Sequence, residues 1–160
     1  MENIISEAKA EFVRAKERMA RALATTPDDK INWSPGPCAR TPLQQVAHGA
    51  MATCGIREML VGKPFPYADI VEADTAWRAA EKEFTTREQV LSLLEQSGAD
   101  YLAWLDTLTA EQLASTLELP FGSFPMAAAI TFAADHLRNH ASQIDYIQTV
   151  YGDQDWHLSN

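Results

Sequence analysis

Apolar residues open the chain at alternating three- and four-residue steps: Ile5, Ala8, Phe12, Ala15, Met19, Ala22 and Leu23. That spacing lines them along one face of a helix and leaves Glu, Lys and Arg on the other. The helix, expected from about Asn3 to Ala24, must stop before Thr26-Pro27, because proline disfavours helical geometry in the residue it follows. Three further segments repeat the pattern, and no other feature narrows the choice of fold as far.

The stretch NWSPGPCAR, with two prolines and a glycine, reads as a loop. Thr41-Pro42 restarts a helix, threonine capping the free amides and proline suiting the first helical position. This second helix is expected to reach about Val61 and to end at Gly62, with Pro64 and Pro66 beyond. Residues 62–85 read mainly as a long crossover, within which Asp69 to Glu83 has the makings of a short helix around Trp77. Thr86-Arg-Glu-Gln89 has the form of a capping box. It opens a third helix carrying Leu91, Leu94, Tyr101, Leu102, Leu105 and Leu108. Gly98 interrupts that pattern at a cost of about 1 kcal/mol relative to alanine, which close approach of a neighbouring helix would explain as readily as simple tolerance. Thr109-Ala-Glu-Gln112 suggests one more turn, LELPFGSFP a loop, and Pro125 the start of a last helix running to about Tyr151 and ending at Gly152. There is no internal repeat and no β-type alternation. Four long amphipathic helices with one long crossover describe an all-α four-helix bundle.

The length of 160 residues suits a single domain over 1–160. A formal net charge of −9 speaks against binding a phosphate backbone, and the thirteen Lys and Arg are scattered. No nucleic-acid partner is expected. No apolar run approaches the roughly 20 residues of a membrane span, and the acidic start is unlike a signal peptide. The expectation is a cytoplasmic protein with no membrane contact. Cys38 and Cys54 form no CxxC pattern and read as free thiols.

His136 and His140 lie about 40° apart on one helical face. Ala129, Phe132, Ala133, Gln143 and Ile147 fall within about 60° of His136, so both imidazoles project from an apolar stripe. On the second helix His48 shares its face with Gln44, Ala52, Gly55 and Met59 and should also look inward. His157, in the tail QDWHLSN, is expected to be exposed. Each buried imidazole needs partners for its polar nitrogens. One divalent ion would satisfy three at once; separate hydrogen bonds inside the core would serve as well. Gln143, about 20° from His136, could contact substrate or fill a polar gap.

Other chemistries are not signalled. HExxH requires glutamate immediately after the first histidine, where Leu137 stands. Asp145 points away from the pair and reads as solvated, and Asp135 as solvated or at best behind a ligand. There is no G-x-S-x-G elbow and no Gly-rich phosphate loop.

INWSPGPCARTPLQQVAHGA resembles the approach to the second helix of the DinB-like (DNA-damage-inducible) family. DHLRNHASQIDYIQTVYG is similar to that family's last helix, with its HxxxH pair and the glutamine and tyrosine after it. The resemblance covers most of the chain. It implies up-down-down-up topology, with the crossover between helices two and three. It also implies one divalent ion per chain, zinc or nickel, held by His48, His136 and His140, and a homodimer. Characterised relatives include S-transferases that use low-molecular-weight thiols and a mycothiol-dependent isomerase. The expected function is therefore metal-dependent transfer of a small thiol to a small electrophile. The alternatives are a metal-dependent hydrolase and, in another class, a non-catalytic metal- or ligand-binding dimeric bundle.

Overall fold

Helix α1 (Glu2–Thr25) buries Ala8, Phe12, Ala15, Met19, Ala22 and Leu23, and leaves Ile5 half-buried at the edge of the same face. The computed structural model describes residues 2–119 and 122–157. Helix α2 (Pro42–Leu60) begins at a reciprocal cap: Gln44 N donates to Thr41 Oγ1 at 3.2 Å, and Thr41 N donates to Gln44 Oε1 at 3.0 Å. Its first half is buried on nearly every side, unlike the single inward face that periodicity suggests. The reason is its position, with α4 (Arg87–Leu105), α7 (Phe132–Val150) and α3 (Ile70–Glu81) all packed against it.

The expected capping box at Thr86 and Gln89 opens α4. Arg87, in its first turn, reaches back to donate to the carbonyls of Leu23 and Thr26, closing the end of α1. A third box, Thr109 with Gln112, starts the short α5 (Ala110–Ala114). Helix α7 packs against both α1 and α2, α2 against α4, and α1 more lightly against α4, which closes four long helices around one apolar core. Two glycines let the backbones approach. A Cβ on Gly98 would stand 2.9 Å from Lys16 Cδ and 3.4 Å from Phe12 Cε1, so a neighbouring helix does account for that residue. On Gly49 it would stand 2.8 Å from Met19 Cε and 2.9 Å from Leu137 Cδ2.

The short helix offered around Trp77 forms within the crossover: 12 of its residues make up α3, capped by Asp69, whose carboxylate accepts from the amides of Val71 and Glu72. Two segments depart from the sequence reading. Within 117–125, read as a loop without strands, β1 (Thr116–Leu119) pairs antiparallel with β2 (Gly122–Pro125), Leu117 opposite Phe124. Four residues per strand are too few to show alternation, and the hairpin is anchored where Phe124 meets the Phe132 ring edge-on at 5.2 Å. Residues 120 and 121 of that stretch lie outside the described residues. The last helix is also not continuous from Pro125. A turn, α6 (Met126–Ala129), precedes α7, and the chain breaks at Ile130 and Thr131. There the Ile130 carbonyl accepts the buried Tyr101 hydroxyl at 2.8 Å, a tertiary bond that competes with helix continuation. Among the described residues no helix is long and apolar enough to cross a membrane.

Candidate metal centre

Helical geometry sets His136 and His140 one turn apart on α7, with ring centroids 4.5 Å apart. His48 comes to them from α2, its ring 5.2 Å from that of His136 and 4.6 Å from that of His140. Each residue offers one nitrogen, and the three lie within 4.8 Å of one another. His48 and His140 are buried and His136 is half-buried. The three inward histidines of the sequence thus share one place.

Hydrogen bonds decide which nitrogen each ring can offer. His48 Nδ1 meets Glu81 Oε1 at 2.8 Å, and a carboxylate bonded to Arg40 only accepts, so the proton sits on Nδ1. His140 Nδ1 meets Gln45 Oε1 at 2.6 Å with the same consequence. In both rings the Nε2 lone pair is left over. His136 Nε2 is a buried nitrogen with no hydrogen-bond partner. An orphaned nitrogen beside two imidazoles oriented through Nδ1 is the pattern of a ligand set with its supporting shell, and it fits a divalent ion. Hydrogen bonding inside the core, the competing reading, leaves His136 unexplained.

The electrostatics agree. Burial, helped by His48 and Arg40, pushes His136 down to about 4. Burial, then His136, His48 and Arg40, pushes His140 down to about 3, while a hydrogen bond to Gln143 acts the other way. Both rings are therefore neutral donors near pH 7. Glu81 is only 1% exposed. Burial alone would raise its pKa, but hydrogen bonds from His48 and Arg40 outweigh this and hold the carboxyl below its ordinary range. Arg40 Nε donates to Glu81 Oε2 at 2.8 Å and its Nη2 to Asp74 Oδ1 at 2.8 Å; Asp74 also takes Arg78 Nε at 2.6 Å.

The remaining candidates lie elsewhere or play lesser parts. Gln143 is exposed and touches the centre through His140. Asp135 is exposed and paired with Arg138 at 2.8 Å. Asp145 is tied to Arg18 at 2.8 Å rather than simply solvated. His157 is half-buried rather than exposed, because its Nε2 is held by Asp153 at 2.9 Å. Cys38 is exposed and free, and burial raises the pKa of the half-buried Cys54 thiol. On α2, Gly55 is exposed and Gln44, Ala52 and Met59 are half-buried, so the face of His48 opens outward beyond it. Sequence reasoning missed Gln45, Glu81 and Arg40. Ala73, Trp77 and Glu81 recur at four-residue steps, so a glutamate that continues an apolar face was the available signal.

Fold and site together define a helical bundle whose interior gathers three imidazoles able to hold a metal ion. The chain belongs to the DinB superfamily, whose sequence profile matches residues 11–144. Three solved structures share the fold. YfiT of Bacillus subtilis, described as a probable metal-dependent hydrolase with an unusual four-helix-bundle topology, superposes with a TM-score of 0.71 at 17% identity, over 92% of this chain and 87% of its own. DfsB, a sibling lethal factor precursor, gives 0.71 at 19% identity, over 92% and 96%. A DinB-like protein of Bacillus subtilis, YjoA, gives 0.62 at 13% identity, over 93% and 94%. No curated protein matches in sequence.

Proposed function

We propose that the chain is a divalent-metal enzyme in which His48, His136 and His140 hold one zinc or nickel ion and a small external thiol is activated for transfer to an electrophile. The observation that carries this reading is the orphaned, buried Nε2 of His136 beside two rings whose Nδ1 protons are already committed. An ion held by three neutral nitrogens keeps its full charge and open positions, and lowers the pKa of a thiol or water bound there. Glu81 has one oxygen on His48 and the other on Arg40, so it orients a ring and is not free to take a proton. A nucleophile that needs little help is favoured, and a free thiol ionises near pH 8.5 against 15.7 for water.

Hydrolysis is the second reading, supported by the description of YfiT, which shares the fold. The two separate on thiol dependence. Zinc-loaded protein given a panel of small thiols and an alkylating electrophile should form the thioether conjugate, and His48→Ala should abolish this. Turnover of an ester or amide panel without added thiol, with no conjugation, would replace transfer by hydrolysis.

A further inference from the structure

The histidines are closed off on the side of the bundle core. On one side of α2, Gly49 is closed off by Met19 and Leu137, and Ala47, Ala133 and Leu137 are fully buried. On the other, the face of His48 continues through Ala52, Gly55 and Met59, all within about 40° of it. Gly55 lies about 10 Å further along the helix axis, and a Cβ built there meets nothing within 4 Å. The side of the His48 ring that faces α3 is lined by Trp77 and Glu81.

That side is aromatic. Trp77, one turn before Glu81 on α3, stands edge-on to the His48 ring at 5.7 Å. Tyr67 and Phe65 stand edge-on to Trp77 at 5.9 and 6.4 Å, and to one another at 5.6 Å. Phe65 is 48% exposed, although such a ring ordinarily prefers burial. Lys63, the nearest cation in sequence, is turned to Glu58 at 2.8 Å. A chain of rings thus leads from solvent to one histidine of the centre.

We propose that Phe65, Tyr67 and Trp77 form a specificity wall that selects a reactant bearing an apolar aromatic group, whose polar end meets the three histidines. The inference rests on the metal reading of the site but on neither choice between transfer and hydrolysis. Edge-to-face contact with such a group adds to its area burial, so removing one ring should lower affinity about tenfold. Phe65 is the ring to remove, because its exposure limits the structural penalty.

The test compares acetohydroxamate with benzohydroxamate, each titrated calorimetrically into zinc-loaded protein and corrected for its affinity for free zinc. Benzohydroxamate should bind at least tenfold more tightly. Phe65→Ala should bring the two within about threefold by weakening the aromatic probe alone, and Phe65→Tyr should retain the preference. Equal binding by the native chain, equal weakening of both probes by Phe65→Ala, or binding of neither overturns the wall. Zinc content measured on the same samples separates the two levels: zinc retained without a preference sinks the wall alone, and zinc absent sinks the site with it.

Discussion

Helices α3 and α4 both pack against α2, and they are held there by different physics. Helix α4 buries Val90, Leu94, Ser97, Gly98, Tyr101 and Leu105, and its Tyr101 ring meets Phe12 of α1 at 4.8 Å. Helix α3 buries Ala73 and Glu81 alone. Its hold on α2 is polar: Arg40 grips Glu81 and Asp74, and Glu81 takes His48. Apolar burial against α2 is thus concentrated on the α4 side, and the chemistry sits where the cover is fastened by charge. Segments with few buried apolar contacts open most easily, which suits a cover over a site that must admit reactants.

The contrast can be tested by damaging each side in turn. Phe12→Ala removes a fully buried ring and should cost about 3–5 kcal/mol, a fall in Tm on the order of 10 °C by calorimetry. The folded fraction should keep its metal, and loss of metal from it would show that the two sides are not separate. Acid acts on the other side. In the metal-free protein His136 and His140 sit at about 4 and about 3, below the ordinary 6.5, so the unfolded chain binds more protons in that window. Stability is full above about pH 6.5 and should fall as the pH drops toward 4 and then 3. A denaturation series at stepped pH measures this, and a flat profile across the window would contradict the buried, neutral state of both rings.

Glu81→Gln is the finer probe, because it keeps the shape and removes the charge that orients His48. Metal affinity should weaken by about 10- to 100-fold, and Tm should also fall, because the buried Arg40 loses the charge of one of its two carboxylate partners. A cobalt-substituted sample should shift its visible spectrum, since the ring it coordinates has lost its carboxylate partner. An unchanged affinity and spectrum would leave Glu81 a purely structural latch.

How far the sequence could be read follows the same division. The apolar faces of α1 and α4 were legible because burial there obeys one helical period, and the capping box at Thr86 and Gln89 stood where spacing placed it, while the Gln44 and Gln112 halves of the other two boxes went unread. The histidines were legible for the same reason, as His136 and His140 lie one turn apart on a stripe and His48 on a helix of its own. Helix α3 was read mainly as crossover because it buries so little: a segment anchored by ion pairs has no apolar stripe to announce it. Glu81 escaped notice since its partners, Arg40 and His48, are brought to it only by tertiary folding. The β1–β2 hairpin was too short to alternate. The break before α7 depends on Tyr101, far away in sequence, so no local signal at Ile130 could have shown it.

The central claim is that one ion is shared by three imidazoles from two helices. Metal content per chain, measured on untagged protein by elemental analysis, should be close to one divalent ion in the native chain. It should fall to background in His136→Ala while helicity is retained. A native chain without a bound divalent ion, or a His136→Ala chain that keeps its full complement, would contradict the site.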